Sequence, residues 1–230
     1  MSTREHQGGA AAPQHWWRAG ALRYAAGVAA TALSLACVPR ARPLPGTPVA
    51  PASLPRAELP AVARRIVFAW DYADQDVAAR GEGVVRVAPP DSARLDVFLA
   101  GGFGGASAFL IGDSVRAPGG DLLRRVIPPP PLLWAGLGRL AVPAARDTVA
   151  RVDGDTLRAD IGRNPTFRAS FAGGQLVGLE RLDRGRVAET VVRTPDRRIV
   201  YRHAGARRTL TMTVTRVDTV PAFDSTTWQR

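Results

Sequence analysis

The sequence predicts a mainly β protein with few helices: a single curved antiparallel sheet, forming a half-open, incomplete β-barrel of about eleven strands, covered by short helices. Three observations predict it. Apolar and polar residues alternate with period two through most of the chain after residue 65. The connectors between these segments are short and made of turn residues, such as Gly112-Asp113, Asp153-Gly154, Gly173-Gly174, Asp183-Arg184-Gly185 and Thr194-Pro195-Asp196. Links of that length join antiparallel neighbours, because a parallel crossover needs a dozen residues or more. Finally, one apolar stretch of helical spacing interrupts the series near the middle.

Taken in chain order, residues 1–36 read as a signal peptide of the lipoprotein type. Trp16, Trp17, Arg18 and Arg23 lead into an uncharged run from Tyr24 to Ala36, rich in Ala, Val and Leu. That run falls short of the ~20 residues a helix needs to cross a bilayer. It ends Leu33-Ser34-Leu35-Ala36-Cys37, where a small residue directly before the only cysteine resembles a bacterial lipobox. The resemblance implies cleavage before Cys37, lipidation of that cysteine and attachment to a membrane through its acyl chains. Val38 stands where an aspartate would retain a lipoprotein, which implies an outer-membrane location facing the periplasm. An uncleaved anchor with an incidental cysteine is the other reading of the same residues. Residues 37–56, with prolines at 39, 43, 45, 48, 51 and 55, read as a Pro-rich tether, too poor in backbone donors for helix or sheet.

The folded domain is expected over residues 57–230, opening on a short helix around Ala57–Arg65. Alternating segments follow at Ile66–Tyr72, Gly83–Val87, Arg94–Leu99 and Ser107–Ile111, and later from Thr148 to the clearest of them, Thr209–Thr215, where Leu210, Met212 and Val214 alternate with threonines. Between the two groups, Pro128–Pro131 precede Leu132, Leu133, Trp134, Leu137 and Leu140, an apolar helix whose face must be buried over the sheet. The inward wall would be Val85, Val87, Leu95, Val97, Leu99, Phe167, Phe171, Leu210, Met212 and Val214. The residues leave two interiors open, a cavity or a filled core.

Composition removes several functions. The single cysteine excludes a disulfide framework and a Cys-built zinc site, and His6, His15 and His203 are too scattered to gather around a metal. No cofactor, metal site or catalytic residue is assigned. Every basic residue is arginine, and the net charge of +11 is spread singly with no recognised nucleic-acid motif, so nucleic acid is not expected as a partner. Phosphate-loop, nucleophile-elbow and zinc-protease motifs are absent from the sequence, and an enzyme is not expected. Asp71, Asp74 and Asp76 lack the glycine and spaced glutamate of a calcium loop, and His203 has no nucleophile or carboxylate in sequence reach.

Gly83, Val85, Val87 and Pro90, then Arg94, Leu95, Val97 and Leu99, together with the proline-led helix bearing Trp134 and the closing strands through Val217, resemble the LolA/LolB superfamily of bacterial lipoprotein carriers and receptors over roughly residues 57–220. The membrane-anchored, LolB-like branch fits better, because of Cys37 and the tether. The resemblance implies acyl chains of lipoproteins or lipids bound in an apolar half-barrel and lidded by Leu132, Leu133, Trp134 and Leu137. It also implies a soluble periplasmic carrier as partner. Phe103, between Gly101-Gly102 and Gly104-Gly105, would be a membrane-touching residue on a projecting loop. Ala88 and Pro89 stand before Pro90, where soluble carriers often have a latching arginine. The alternative on the same fold is an envelope docking or regulatory module without lipid cargo.

Overall fold

A computed structural model describes residues 40–102, 104–118, 121–143 and 145–228, all within the compact unit Val38–Arg230. The expected signal peptide, Cys37 and Phe103 lie outside the described residues. The chain order is β1 (Thr47–Val49), β2 (Ala63–Ala73), β3 (Ala78–Ala88), β4 (Ser92–Leu99), β5 (Gly105–Ile111), β6 (Ser114–Arg116), α1 (Asp121–Val126), α2 (Pro130–Leu137), β7 (Val149–Asp153), β8 (Thr156–Ile161), β9 (Thr166–Ala172), β10 (Gln175–Asp183), β11 (Arg186–Arg193), β12 (Arg198–His203) and β13 (Arg208–Val220).

These strands make one antiparallel sheet of 13, ordered β1-β7-β8-β9-β10-β11-β12-β13-β2-β3-β4-β5-β6 and open between β1 and β6. The predicted class is the observed one, with two short edge strands added to the expected set. The sheet consists of two meanders, β2 to β6 and β7 to β13, joined where β13 pairs with β2 from Val220 opposite Ala63 to Thr209 opposite Ala73. That seam carries a bulge between Val214 and Arg216, which locally increases the bend and twist of the strand.

Two local expectations give way. No helix forms over Ala57–Arg65: the chain is irregular through Pro60, bends at Ala61 and Val62 and enters β2 at Ala63, because pairing with both β3 and β13 satisfies a backbone that Pro55 and Pro60 prevent from winding. The expected free spacer is attached over its described part. Arg40 bridges Arg186, Ala41 N–H donates to Gly185 O at 2.8 Å, Arg168 Nη1 donates to Arg42 O at 2.8 Å, and β1 pairs with β7. Proline is tolerated there because β1 is an edge strand, so Pro48 lies where a missing N–H is least costly.

One face of the sheet is apolar and holds a single core that includes α1 and α2. The other face is polar, and cross-strand ion pairs use up many of its arginines. Asp96 accepts from Arg86, from Arg94 Nε at 2.9 Å and from Ser107 Oγ at 2.5 Å; Arg168 Nε reaches Asp160 at 2.7 Å; Asp218 takes both Arg65 and Arg216. Part of the arginine content is therefore paired with carboxylates on this outer surface.

Gly81 marks the tightest approach of backbones in the sheet. A Cβ there would stand 1.8 Å from Phe98 O and 3.1 Å from Trp70 Nε1, whose own N–H donates to Glu82 O at 3.0 Å. Gly81→Ala is expected to cost about 1–3 kcal/mol by overpacking. Gly205→Ala, whose nearest neighbour would be His203 at 3.5 Å, should be close to neutral. Urea unfolding of the two variants side by side checks this, and equal midpoints would contradict it.

Candidate functional site

The inner face of the sheet and the helix that covers it form the site. Pro128 and Pro129 hold the chain extended before α2, and Pro130 and Pro131 form its first turn, where a missing N–H costs little. Gly138 ends the helix in the left-handed region at φ 97°, and its N–H and that of Arg139 close on Ala135 O and Trp134 O. Leu140, expected to extend the apolar face, therefore lies beyond the helix. Its N–H donates to Ala57 O at 2.8 Å.

The helix is apolar all round and so must be enclosed. Leu132 and Trp134 are wholly buried, Leu133 is buried, and Leu137 is half-buried against the core. Among the wall residues, Val85, Val87, Leu95, Phe171, Leu210 and Met212 are buried, while Val97, Leu99 and Phe167 are partly buried and pack on the same core. Val214 is set apart from them: it is half-buried and opens on a trough beside Ile66 and Ile199. Between Leu133 and Leu137 of α2 and Val85, Leu95 and Leu110 of the sheet, only about 10 Å³ remains, no more than the space of a single water. The wall and the covering helix are thus together, and in this state the helix fills the interior.

Polar contacts fasten the cover at two places. Trp134 Nε1–H donates to Gly112 O in the β5–β6 turn at 2.6 Å, and the Arg139 guanidinium lies 4.9 Å from the Trp134 ring centre.

At each end of α2 is an opening with charged side chains, of which the sequence singled out only His203. At the end of the β10–β11 and β12–β13 turns, a space of about 830 Å³ is bordered by Arg181, Glu189, Tyr201, His203 and Arg208. Glu189, 2% exposed, accepts from Arg181 Nε and from Tyr201 OH at 2.6 Å. Burial first, then the bond to Glu189, push the Tyr201 phenol well above its ordinary value. His203 is occupied in its turn, where Nδ1 accepts from Ala206 N–H at 3.1 Å. At the opposite end, a trough of about 640 Å³ lies beside Gly136 and Leu137 of α2, with Arg64 and Arg193 on its walls. Period two carries the signal that could have found both: Arg64 and Arg193 occupy the inward phase with Ile66 and Val191, and Glu189 shares it.

The aspartates near Tyr72 do not converge on a site. Asp74 accepts from Tyr72 OH at 2.5 Å and from the N–H groups of Asp76 and Val77, closing the β2–β3 turn. The Tyr72 bond, followed by the two backbone bonds, lowers the Asp74 carboxyl to about 2, and burial above all pushes the Tyr72 phenol up to about 12. Among the described residues no cluster of metal-ligating side chains occurs, and no helix is long and apolar enough to cross a membrane.

No protein-family model and no curated protein matches the chain. Among solved structures it is similar to an outer membrane lipoprotein-sorting protein domain from Vibrio parahaemolyticus (TM-score 0.47, 5% identity, 75% of this chain and 91% of that one). It is also similar to a DUF1329 family protein from Desulfovibrio piger (TM-score 0.40, 7% identity, 74% and 90%). The likeness that carries weight is to a LolA superfamily protein from Nitrosomonas europaea, at TM-score 0.51 and 10% identity over 76% of this chain and 93% of that one. At that identity the likeness is one of fold alone: this chain shares its open antiparallel sheet architecture with that protein.

Proposed function

We propose that this protein is a non-enzymatic lipoprotein of the bacterial cell envelope, of LolB-like character. It would be anchored in the outer membrane through lipidated Cys37, and it would bind the acyl chains of lipoproteins or lipids on the inner face of its sheet. The observation that carries the reading is the way the core is closed. A continuous apolar wall running from Val85 to Met212 is covered by one short apolar helix rather than by a second sheet. Such a cover is attached by few polar contacts, and moving it would expose a channel lined by aliphatic and aromatic side chains, where chain burial is driven by loss of water-exposed apolar area. The LolA superfamily fold and the lipobox-like sequence before Cys37 support the same reading. A soluble carrier would deliver the chains, and Phe103 would touch the membrane that receives them.

A cysteine pair tests whether chains lie beneath α2. A Cβ on Gly136 would stand 3.1 Å from Ile199 Cγ2, so Gly136→Cys with Ile199→Cys places two thiols within disulfide reach. In residues 38–230, which contain every strand and helix described, the oxidised pair is expected to lose acyl-lipid adducts in native mass spectrometry, and reduction to restore them on exposure to vesicles. Adducts that survive in the oxidised form would place the chains elsewhere. A protein free of lipid in every state would favour the second reading, a docking or regulatory module, which the filled interior supports.

A further inference from the structure

The trough beside the C-terminal end of α2 combines an apolar surface with a cationic one. Its floor is apolar, formed by Ile66, Leu137, Leu176, Ile199 and Val214, and its charged lining is arginine alone, with no carboxylate. Arg198 is answered by Asp196 in its own turn at 2.7 Å. Arg64 and Arg193 are not answered. Arg64 Nε is buried with no hydrogen-bond partner among the described residues, and Arg193 has only the neutral Leu176 O, at 3.0 Å. Burial, and after it the charge of Arg64, lower the Arg193 guanidinium from its ordinary value, as expected of two cations held close in a partly dry site. On the outer face of the same sheet, arginines at Asp96, Asp160 and Asp218 are neutralised within the chain. An inward pair left without an acid is a standing cost that an anion would relieve.

We propose that this trough binds a phospholipid with an anionic head group, its phosphate between Arg64 and Arg193 and its acyl chains along Ile66, Ile199 and Leu137. The volume of about 640 Å³ falls within the ~300–1,000 Å³ of small-molecule sites, and the trough is open without movement of α2. Guanidinium suits the task, since its fixed fork of donors matches phosphate oxygens and its weak hydration lowers the cost of partial burial. The apolar half of the ligand rests on the acyl-chain reading above, while the polar half rests on the two arginines.

The test uses residues 38–230 and calorimetric titration with three probes: monomeric dihexanoyl phosphatidylglycerol, uncharged dihexanoylglycerol and inorganic phosphate. The expected result is that phosphatidylglycerol binds about 10–100-fold more tightly than dihexanoylglycerol, the span of a charge-assisted contact, and that phosphate alone is weaker than either. Arg64→Gln with Arg193→Gln should abolish the preference for phosphatidylglycerol and leave dihexanoylglycerol binding unchanged, while Arg64→Lys with Arg193→Lys should restore part of it. Because an unanswered inward charge is removed, Arg64→Met should raise the melting temperature of the ligand-free protein, which a purely structural arginine would not do. Equal affinity for the charged and uncharged lipids overturns the head-group site and leaves the acyl-chain reading standing. Binding of neither lipid overturns both, and phosphate binding as tight as phosphatidylglycerol shows an anion site with no lipid component, which also overturns the proposal.

Discussion

Trp134→Ala is expected to lower the unfolding free energy by about 3–5 kcal/mol, the range for deleting a fully enclosed aromatic side chain. Trp134 is wholly buried and leads the buried side chains in volume. Truncation removes its contacts with the wall, leaves a void, and strips Gly112 O of the indole N–H that it accepts at 2.6 Å. It also ends the stacking of Arg139 on the ring. Trp134→Phe keeps most of the volume and loses the hydrogen bond, so its cost should be nearer 1–2 kcal/mol. Urea unfolding followed by circular dichroism separates the two, and a loss under about 1 kcal/mol for the alanine variant would show that α2 is only loosely seated. The substitution carries a functional sign as well. The tryptophan occupies the space proposed for acyl chains, so weakening its hold raises the fraction of molecules with an open channel and should increase lipid adducts in the folded variant. Reduced stability with unchanged adducts would make α2 a structural plug.

The second large effect is expected at Glu189. Its carboxylate is 2% exposed and holds together three neighbouring strands, accepting from Arg181 on β10 and Tyr201 on β12. Glu189→Ala leaves a buried phenol and a guanidinium without their acceptor, which typically costs about 3–5 kcal/mol. Because the Arg181 side chain is 33% exposed and can turn to water, the lower end of that range is expected. Glu189→Gln retains an acceptor for Tyr201 OH and should lose less. Thermal unfolding gives the comparison, at about 2–4 °C per kcal/mol for a chain of this size. If alanine and glutamine shift the midpoint equally, the charge rather than the hydrogen-bond geometry holds the network. Replacing Glu189 and Arg181 together by leucine should cost much less than Glu189→Ala, since no buried charge then remains unmatched.

The apolar half of the site was legible from local pattern. Leu210 and Met212 face inward because every second residue of β13 is apolar, and Val85, Val87 and Leu95 do so for the same reason on β3 and β4. The arginines and Glu189 obey the same period, yet a charged residue in an apolar phase has the same appearance whether it meets a partner or not. Glu189 finds Arg181 and Tyr201, and Arg64 finds no carboxylate. The residues 40–56 were misread because proline content disfavours the interior of a sheet but not its edge, and only the position of β7 makes that edge available to β1.

By itself the sequence determined eleven of the strands, the turns that join them and the presence of an apolar helix behind a run of prolines, since alternation, turn residues and proline act within a few bonds of where they stand. Tertiary structure alone decided that β13 closes against β2 across some 140 residues of chain, that α2 fills the interior instead of capping an empty one, and that Arg64 and Arg193 converge unneutralised. Those outcomes depend on how far the sheet bends and on which long-range contacts the bend brings into reach. Such contacts are won by burying apolar area against the entropy of the intervening chain, a balance that no short stretch of sequence contains.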